Sequence, residues 1–181
     1  MKMLDEVIAL LADLTPAQLE RVRAFIYSLR DPTARADLWR FDLLEHFPES
    51  THAGLEVKTG DAACAEVMRP ALWEHPPASG SATVGYMVAV PSQVRGLKMK
   101  FAIGIRDGSE LPTDRFIAFR VMVNGYKVWS TLKNSHAWEA FEIAPPQLSS
   151  DVARIELITD GMGDNRWNWA VWGEPRLEGE L

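Results

Sequence analysis

The stretch Ile117-Ala118-Phe119-Arg120-Val121-Met122-Val123-Asn124-Gly125-Tyr126-Lys127-Val128-Trp129-Ser130 decides the fold class. Two largely alternating runs flank Asn124-Gly125, the period of a strand with one buried face. Asn-Gly is the strongest short hairpin signal, because both central residues of a type I′ turn need positive φ. A two-residue turn sets the register: Val123 opposes Tyr126, Val121 opposes Val128 and Arg120 opposes Trp129. Phe119, Val121, Val123, Tyr126 and Val128 then share the core face. Arg120, Met122, Lys127 and Trp129 take the other, which presents an indole to solvent as a stacking platform.

The same period holds to either side. Leu97, Met99, Phe101, Ile103 and Ile105 alternate with Lys98, Lys100, Ala102 and Gly104. Val84, Tyr86, Val88 and Val90 repeat the pattern, as do Ile155 and Leu157 against Arg154 and Glu156. Turn clusters separate the runs at Pro76–Gly80, Asp107–Ser109 and Pro145–Pro146. Many short strands so punctuated indicate an antiparallel β-sandwich or barrel.

Ahead of about residue 53 the period is helical. Leu4, Val7, Ile8, Leu11 and Leu14 fall on one stripe, and Leu19, Val22, Phe25, Ile26 and Leu29 on another. Thr15-Pro16-Ala17-Gln18 between them has the form of a capping box. Asp31-Pro32 stops the second helix, and Leu38, Phe41 and Leu44 suggest a third. The expected division is a helical segment over 1–52 and a β-sandwich over 53–181. Residues 1–30 serve either as a cap on the sandwich or as a homo-oligomer contact, since so apolar a pair of stripes needs cover.

A formal charge of −6 argues against a nucleic-acid partner, whose binding rests on Lys and Arg neutralising phosphates. It argues equally against an anionic membrane surface, and no apolar run reaches the ~20 residues needed to span a bilayer. Asp5, Glu6 and Asp13 interrupt what would be the apolar stretch of a secretory signal. The expected location is therefore cytoplasmic, or secreted if a leader has been removed. The single cysteine, Cys64, excludes an intrachain disulfide.

Catalytic signatures are missing. There is no Gly-x-Ser-x-Gly, Walker loop or His-Glu-x-x-His, and His46, His52, His75 and His136 have no ligand spacing. Acid/base catalysis by a pair of carboxylates stays open, because such pairs meet in space and not in sequence.

Five of the seven tryptophans lie between Trp129 and Trp172. The run from Ile155 to Leu177 reads as strand, glycine-rich turn and strand, with Asp160-Gly161, Gly163-Asp164-Asn165 and Trp167-Asn168-Trp169-Ala170-Val171-Trp172-Gly173-Glu174-Pro175 in order. It resembles the last hairpin of galactose-binding-like carbohydrate-binding modules, especially the NPCBM type found beside glycoside hydrolases. Phe101 to Gly108 and Phe119 to Trp129 extend the resemblance, which covers residues 75 to 178. Asn168 stands where those modules usually carry aspartate. The resemblance implies a jelly-roll sandwich that binds a glycan through its end loops and performs no chemistry.

Trp167, Trp169 and Val171 alternate along one face, which favours core packing for both tryptophans, while Trp172 points the other way. His75, Asp107, Asn134, His136, Asp164 and Asn165 fall in loops or at strand ends and supply hydrogen-bonding groups for a sugar. Trp129 or Trp138 supplies the aromatic platform. Asp160 and Asp164, with Asn165, could hold a structural calcium; the same residues also satisfy the amides of a glycine-rich turn. No other cofactor is expected. The leading reading is a non-catalytic carbohydrate-binding module for a neutral or mildly cationic glycan. The alternative is a structural or assembly protein that uses the sandwich for a protein partner and the N-terminal helices for oligomerisation.

Overall fold

A computed structural model describes residues 38–145 and 152–181, together with Leu14 and Leu19. The helical stripes and the capping box lie outside these residues. Eleven strands are formed among the described residues: β1 (Leu38–Asp42), β2 (Thr51–Ala53), β3 (Glu56–Cys64), β4 (Val67–His75), β5 (Ser81–Ala89), β6 (Arg95–Ile105), β7 (Ile117–Val123), β8 (Tyr126–Lys133), β9 (Glu139–Ile143), β10 (Val152–Asp160) and β11 (Ala170–Glu180). One sheet has the order β3-β4-β11-β6-β9, with β1 also on β11. The second has the order β2-β5-β10-β7-β8. Residues Trp39 to Leu181 make one unit, so sandwich structure starts well ahead of residue 53.

Leu38, Phe41 and Leu44 do not build a helix. Leu38–Asp42 is strand β1, and the Asp42 carboxylate then accepts the Leu44 N–H at 3.0 Å, turning the chain. That turn directs Leu43 inward, where it is fully buried. Asp and its own downstream amide outcompete the next helical turn here.

The residues that alternate in sequence meet between the sheets. Val84, Tyr86, Val88, Met99, Phe101, Ile103, Ile105, Phe119, Val121, Ile155 and Leu157 are all buried in one core. Trp172 lies in its middle, edge-on to Phe119 (5.2 Å between centroids) and Phe101 (5.4 Å). On the outer face of the first sheet a smaller cluster joins Ala62, Cys64, Ala71 and Val171 to Trp73 and Trp138. Burial there pushes the Cys64 thiol up to about 12, so it packs as an inert apolar group.

Two register expectations are corrected. The turn forms as read, with Asn124 and Gly125 at φ 50° and 82°, and Val123 opposes Tyr126. A bulge follows, so that Val121 faces Trp129 and Arg120 faces Ser130. One extra residue reverses every later side chain. Trp129 consequently turns inward, 4.9 Å from Phe101 and 4.7 Å from Phe141, and offers no platform to solvent. Tyr126, assigned to the core face, lies at the rim and is 75% exposed.

The second correction concerns the tryptophans. Strand β11 begins at Ala170, and Trp167 precedes it in a turn with φ 67°. Trp169 and Val171 are of one parity, but Val171 belongs to the outer cluster, whereas Trp172, of opposite parity, enters the core. The expected alternation therefore fails at Trp167, which precedes the strand, and the face expected for Val171 is the outer one.

Candidate functional site

Cross-strand pairing places a row of side chains at one end of the first sheet. Glu56 pairs with His75, Lys58 with Trp73, Val171 with Trp73, and Ala170 with Ile105. Trp169 precedes Ala170 and Arg106 follows Ile105, and the Arg106 N–H donates to the Trp169 carbonyl at 3.0 Å. The Arg106 guanidinium carbon lies 3.5 Å from the Trp73 ring centre and 4.7 Å from that of Trp169. Lys58 Nζ also reaches Trp73, at 4.1 Å. Cations attracted to indole quadrupoles thus hold the row in line.

The β10–β11 connection completes the site. Its shape is fixed from within by Asp164, which accepts the Arg166 N–H at 2.8 Å, the Arg166 guanidinium at 2.8 Å and Arg115 Nη1 at 2.8 Å. Arg166 first, then Arg115, hold this carboxyl well below the usual carboxylate range. Asn168, fully buried, donates from Nδ2 to the Asp164 carbonyl. Ser109 Oγ donates to the Trp167 carbonyl at 2.5 Å.

His75 Nε2 is 2.7 Å from the Asn165 carbonyl. A carbonyl only accepts, so Nε2 carries the proton and, in the neutral ring, Nδ1 is the acceptor. His75, Asn165, Arg166, Trp167 and Trp169 line a depression of about 340 Å³. Trp167 is 37% exposed and its ring centre is 5.6 Å from that of Trp169. A narrow cleft lined by Glu56, Trp73, His75, Arg106 and Trp169 adjoins it through the shared His75 and Trp169.

Of the residues singled out in the sequence, His75 and Asn165 line this depression, with Asp164 bracing it. The others have local tasks elsewhere. Asp107 accepts the Ala65 and Glu66 N–H groups, both at 2.8 Å, where those two residues take positive φ between β3 and β4. His136 Nδ1 is 3.2 and 3.1 Å from the Ile105 and Arg106 carbonyls and 4.0 Å from Asp107. Asn134 donates to the Thr113 carbonyl at 2.8 Å. Trp138 donates to the Val67 carbonyl at 2.8 Å and lies over Gly104 and Gly173, where an added Cβ would come within 3.0 Å of its ring.

Asp160 accepts the Met162 N–H at 2.8 Å and receives Arg120 at 3.3 Å. Among the described residues no three His, Cys, Asp or Glu side chains are grouped as ligands for a metal ion. The sequence reading missed Arg106, Trp73 and Arg166 as site residues and sent Trp167 and Trp169 to the core. The available signal was Arg106 at the end of an alternating strand, directly before the Asp107-Gly108 turn.

No protein-family model matches the chain, and no curated protein matches it. Solved structures do. A module from Clostridium perfringens ZmpB, CBM51-2, described in complex with GlcNAc and with INT domains, superposes with a TM-score of 0.57 at 12% identity; the match covers 78% of this chain and 32% of that one. The CBM51 of Clostridium perfringens GH95, described in complex with methyl-galactose, matches with a TM-score of 0.54 at 14% identity over 77% of this chain and 99% of that one. Tandem CBM51 modules of a family 98 glycoside hydrolase from Streptococcus pneumoniae give 0.55 at 10% identity, over 80% of this chain and 48% of that one. These likenesses show the fold: a mainly β, antiparallel sandwich of the kind found in carbohydrate-binding modules, as the C-terminal hairpin suggested.

Proposed function

We propose that the sandwich is a non-catalytic glycan-binding domain whose ligand sits in the depression between β4 and the β10–β11 connection. The observation that carries this reading is the exposed indole of Trp167 beside Trp169, ringed by His75, Asn165 and Arg166. A pyranose ring needs an apolar face to stack on and polar groups at its edge, and this depression supplies both. The GlcNAc and methyl-galactose complexes of the structural neighbours support the same class of ligand.

The lining supports binding without turnover. Glycoside hydrolysis uses two carboxylates across the scissile bond. Among the described residues none lines the depression, and Glu56 in the adjoining cleft is paired with Lys58 at 2.7 Å. Each sugar hydrogen bond nets about 0.5–1.5 kcal/mol, and an indole contact adds a comparable amount. After association costs, a dissociation constant on the order of 10 µM to 1 mM is expected. Calorimetry with an oligosaccharide panel, on the wild type and on W167A and W169A, tests it. Binding that weakens in both variants supports the site. No binding of any sugar at millimolar concentration overturns it.

A further inference from the structure

Net charge and local charge disagree in this molecule. The chain carries −6 overall. Around the depression and its cleft, however, Lys58, Arg106, Arg115 and Arg166 outnumber Glu56 and Asp164. Most of these groups are already matched: Lys58 to Glu56 at 2.7 Å, and Arg115 and Arg166 to Asp164, both at 2.8 Å.

Arg106 is the exception. Its guanidinium is stacked on Trp73 and Trp169, and it has no carboxylate within salt-bridge distance among the described residues. Burial pulls its proton affinity below the ordinary arginine value, with Glu56 only partly opposing. Arg40 and Arg166, each bonded to a carboxylate, move the other way. An indole face covers the guanidinium's flat surface, and the N–H donors at its edge, which are not among the buried unpaired atoms of the described residues, stay open to water. A guanidinium held flat between two indoles and wet along its edge can exchange that water for an anionic partner.

We propose that the depression takes a carboxylated sugar, with the ring against Trp167 and Trp169 and the carboxylate directed to Arg106. This rests on the glycan reading above and replaces the neutral-glycan expectation drawn from overall charge. The cleft at Arg106 is too tight for a pyranose, so the ring stays in the larger depression and only the charged group reaches the mouth of the cleft. A guanidinium presents paired N–H donors that match the two oxygens of a carboxylate, which favours this group over a hydroxymethyl at the same position. Uronic and sialic acids share the chemistry and differ in where the carboxylate leaves the ring.

The test uses matched pairs on the full chain at low ionic strength: methyl glucuronide against methyl glucoside, methyl galacturonide against methyl galactoside, and sialyllactose against lactose. At least one acidic member should bind tenfold or more tightly than its neutral counterpart, with the preference shrinking as salt rises. Whichever pair shows it identifies the uronate or the sialate arrangement. R106Q should remove the preference within each pair, and R106K should retain part of it. Near-UV circular dichroism on both variants checks that the indole row survives; if it does not, the wild-type pairs alone decide. Equal affinity within every pair overturns the acidic-sugar proposal and leaves glycan binding standing. Failure of all six sugars at millimolar concentration overturns both.

Discussion

The Trp172 indole donates to the Glu74 carboxyl at 2.5 Å in the middle of the core, and both side chains are fully buried. Thr159 Oγ1 donates to the Glu74 carbonyl at 2.7 Å, tying the same residue to the second sheet. Desolvation raises the Glu74 carboxyl well above the usual carboxylate range, and the Trp172 bond opposes this only in part.

The sign of the resulting pH dependence follows. Folded Glu74 holds its proton over a range in which the unfolded chain has released it. The stability contribution is full below the ordinary glutamate range and is lost as pH rises towards the elevated folded value. E74Q keeps an acceptor for Trp172 and has no proton to lose. It should unfold later than wild type at pH 7, with the difference closing near pH 4. Denaturant titrations at both pH values measure this; a variant less stable at pH 7 would show that the ionised acid is the native species.

Trp172 and Trp167 should separate cleanly. W172A removes a fully buried side chain packed on Phe101 and Phe119, at a cost of about 3–5 kcal/mol. W167A removes a partly exposed ring from a turn and should shift the melting temperature little while weakening sugar binding. Equal melting shifts in the two variants would contradict this division.

Gly125 isolates a backbone effect. Its φ is 82°, and an added Cβ would meet nothing within 4 Å. G125A should therefore cost about 1 kcal/mol through the left-handed conformation alone, with no steric part. A neutral outcome in chemical denaturation would mean that the turn relaxes to another type.

These cases mark how far the sequence could be read. The alternation in β5, β6, β7 and β10 identified the core because the large apolar side chains of each strand all point to one face. Asn124-Gly125 identified its turn because the φ requirement is local. The Val128 bulge carried no local signal, and it alone moved Trp129 from solvent to core. Parity grouped Trp169 with Val171, but only the packing of β11 between β4 and β6 reveals which face of the sheet is outward. Arg106 was invisible as a site residue because its neighbours, Trp73 and Trp169, are 33 and 63 positions away in sequence.

Asp164 should control the ligand site without touching the ligand. Its carboxylate gathers Arg115, the Arg166 side chain and the Arg166 N–H, and its carbonyl takes the Asn168 amide. Because Arg166 and Arg115 depress its folded proton affinity, the contribution is present above the ordinary aspartate range and is lost as pH falls through the depressed value. The connection between β10 and β11 should therefore stay ordered from neutral pH into mild acid. D164N keeps an oxygen for the Arg166 N–H and gives up both ion pairs, so the connection is less well preorganised and the ligand must order it on binding. The expected result is faster amide exchange over 161–168 and several-fold weaker sugar affinity, with the melting temperature nearly unchanged because these pairs lie at the surface. Hydrogen exchange with and without sugar measures the first, and calorimetry the second. Unchanged exchange together with unchanged affinity would remove Asp164 from the account of the site.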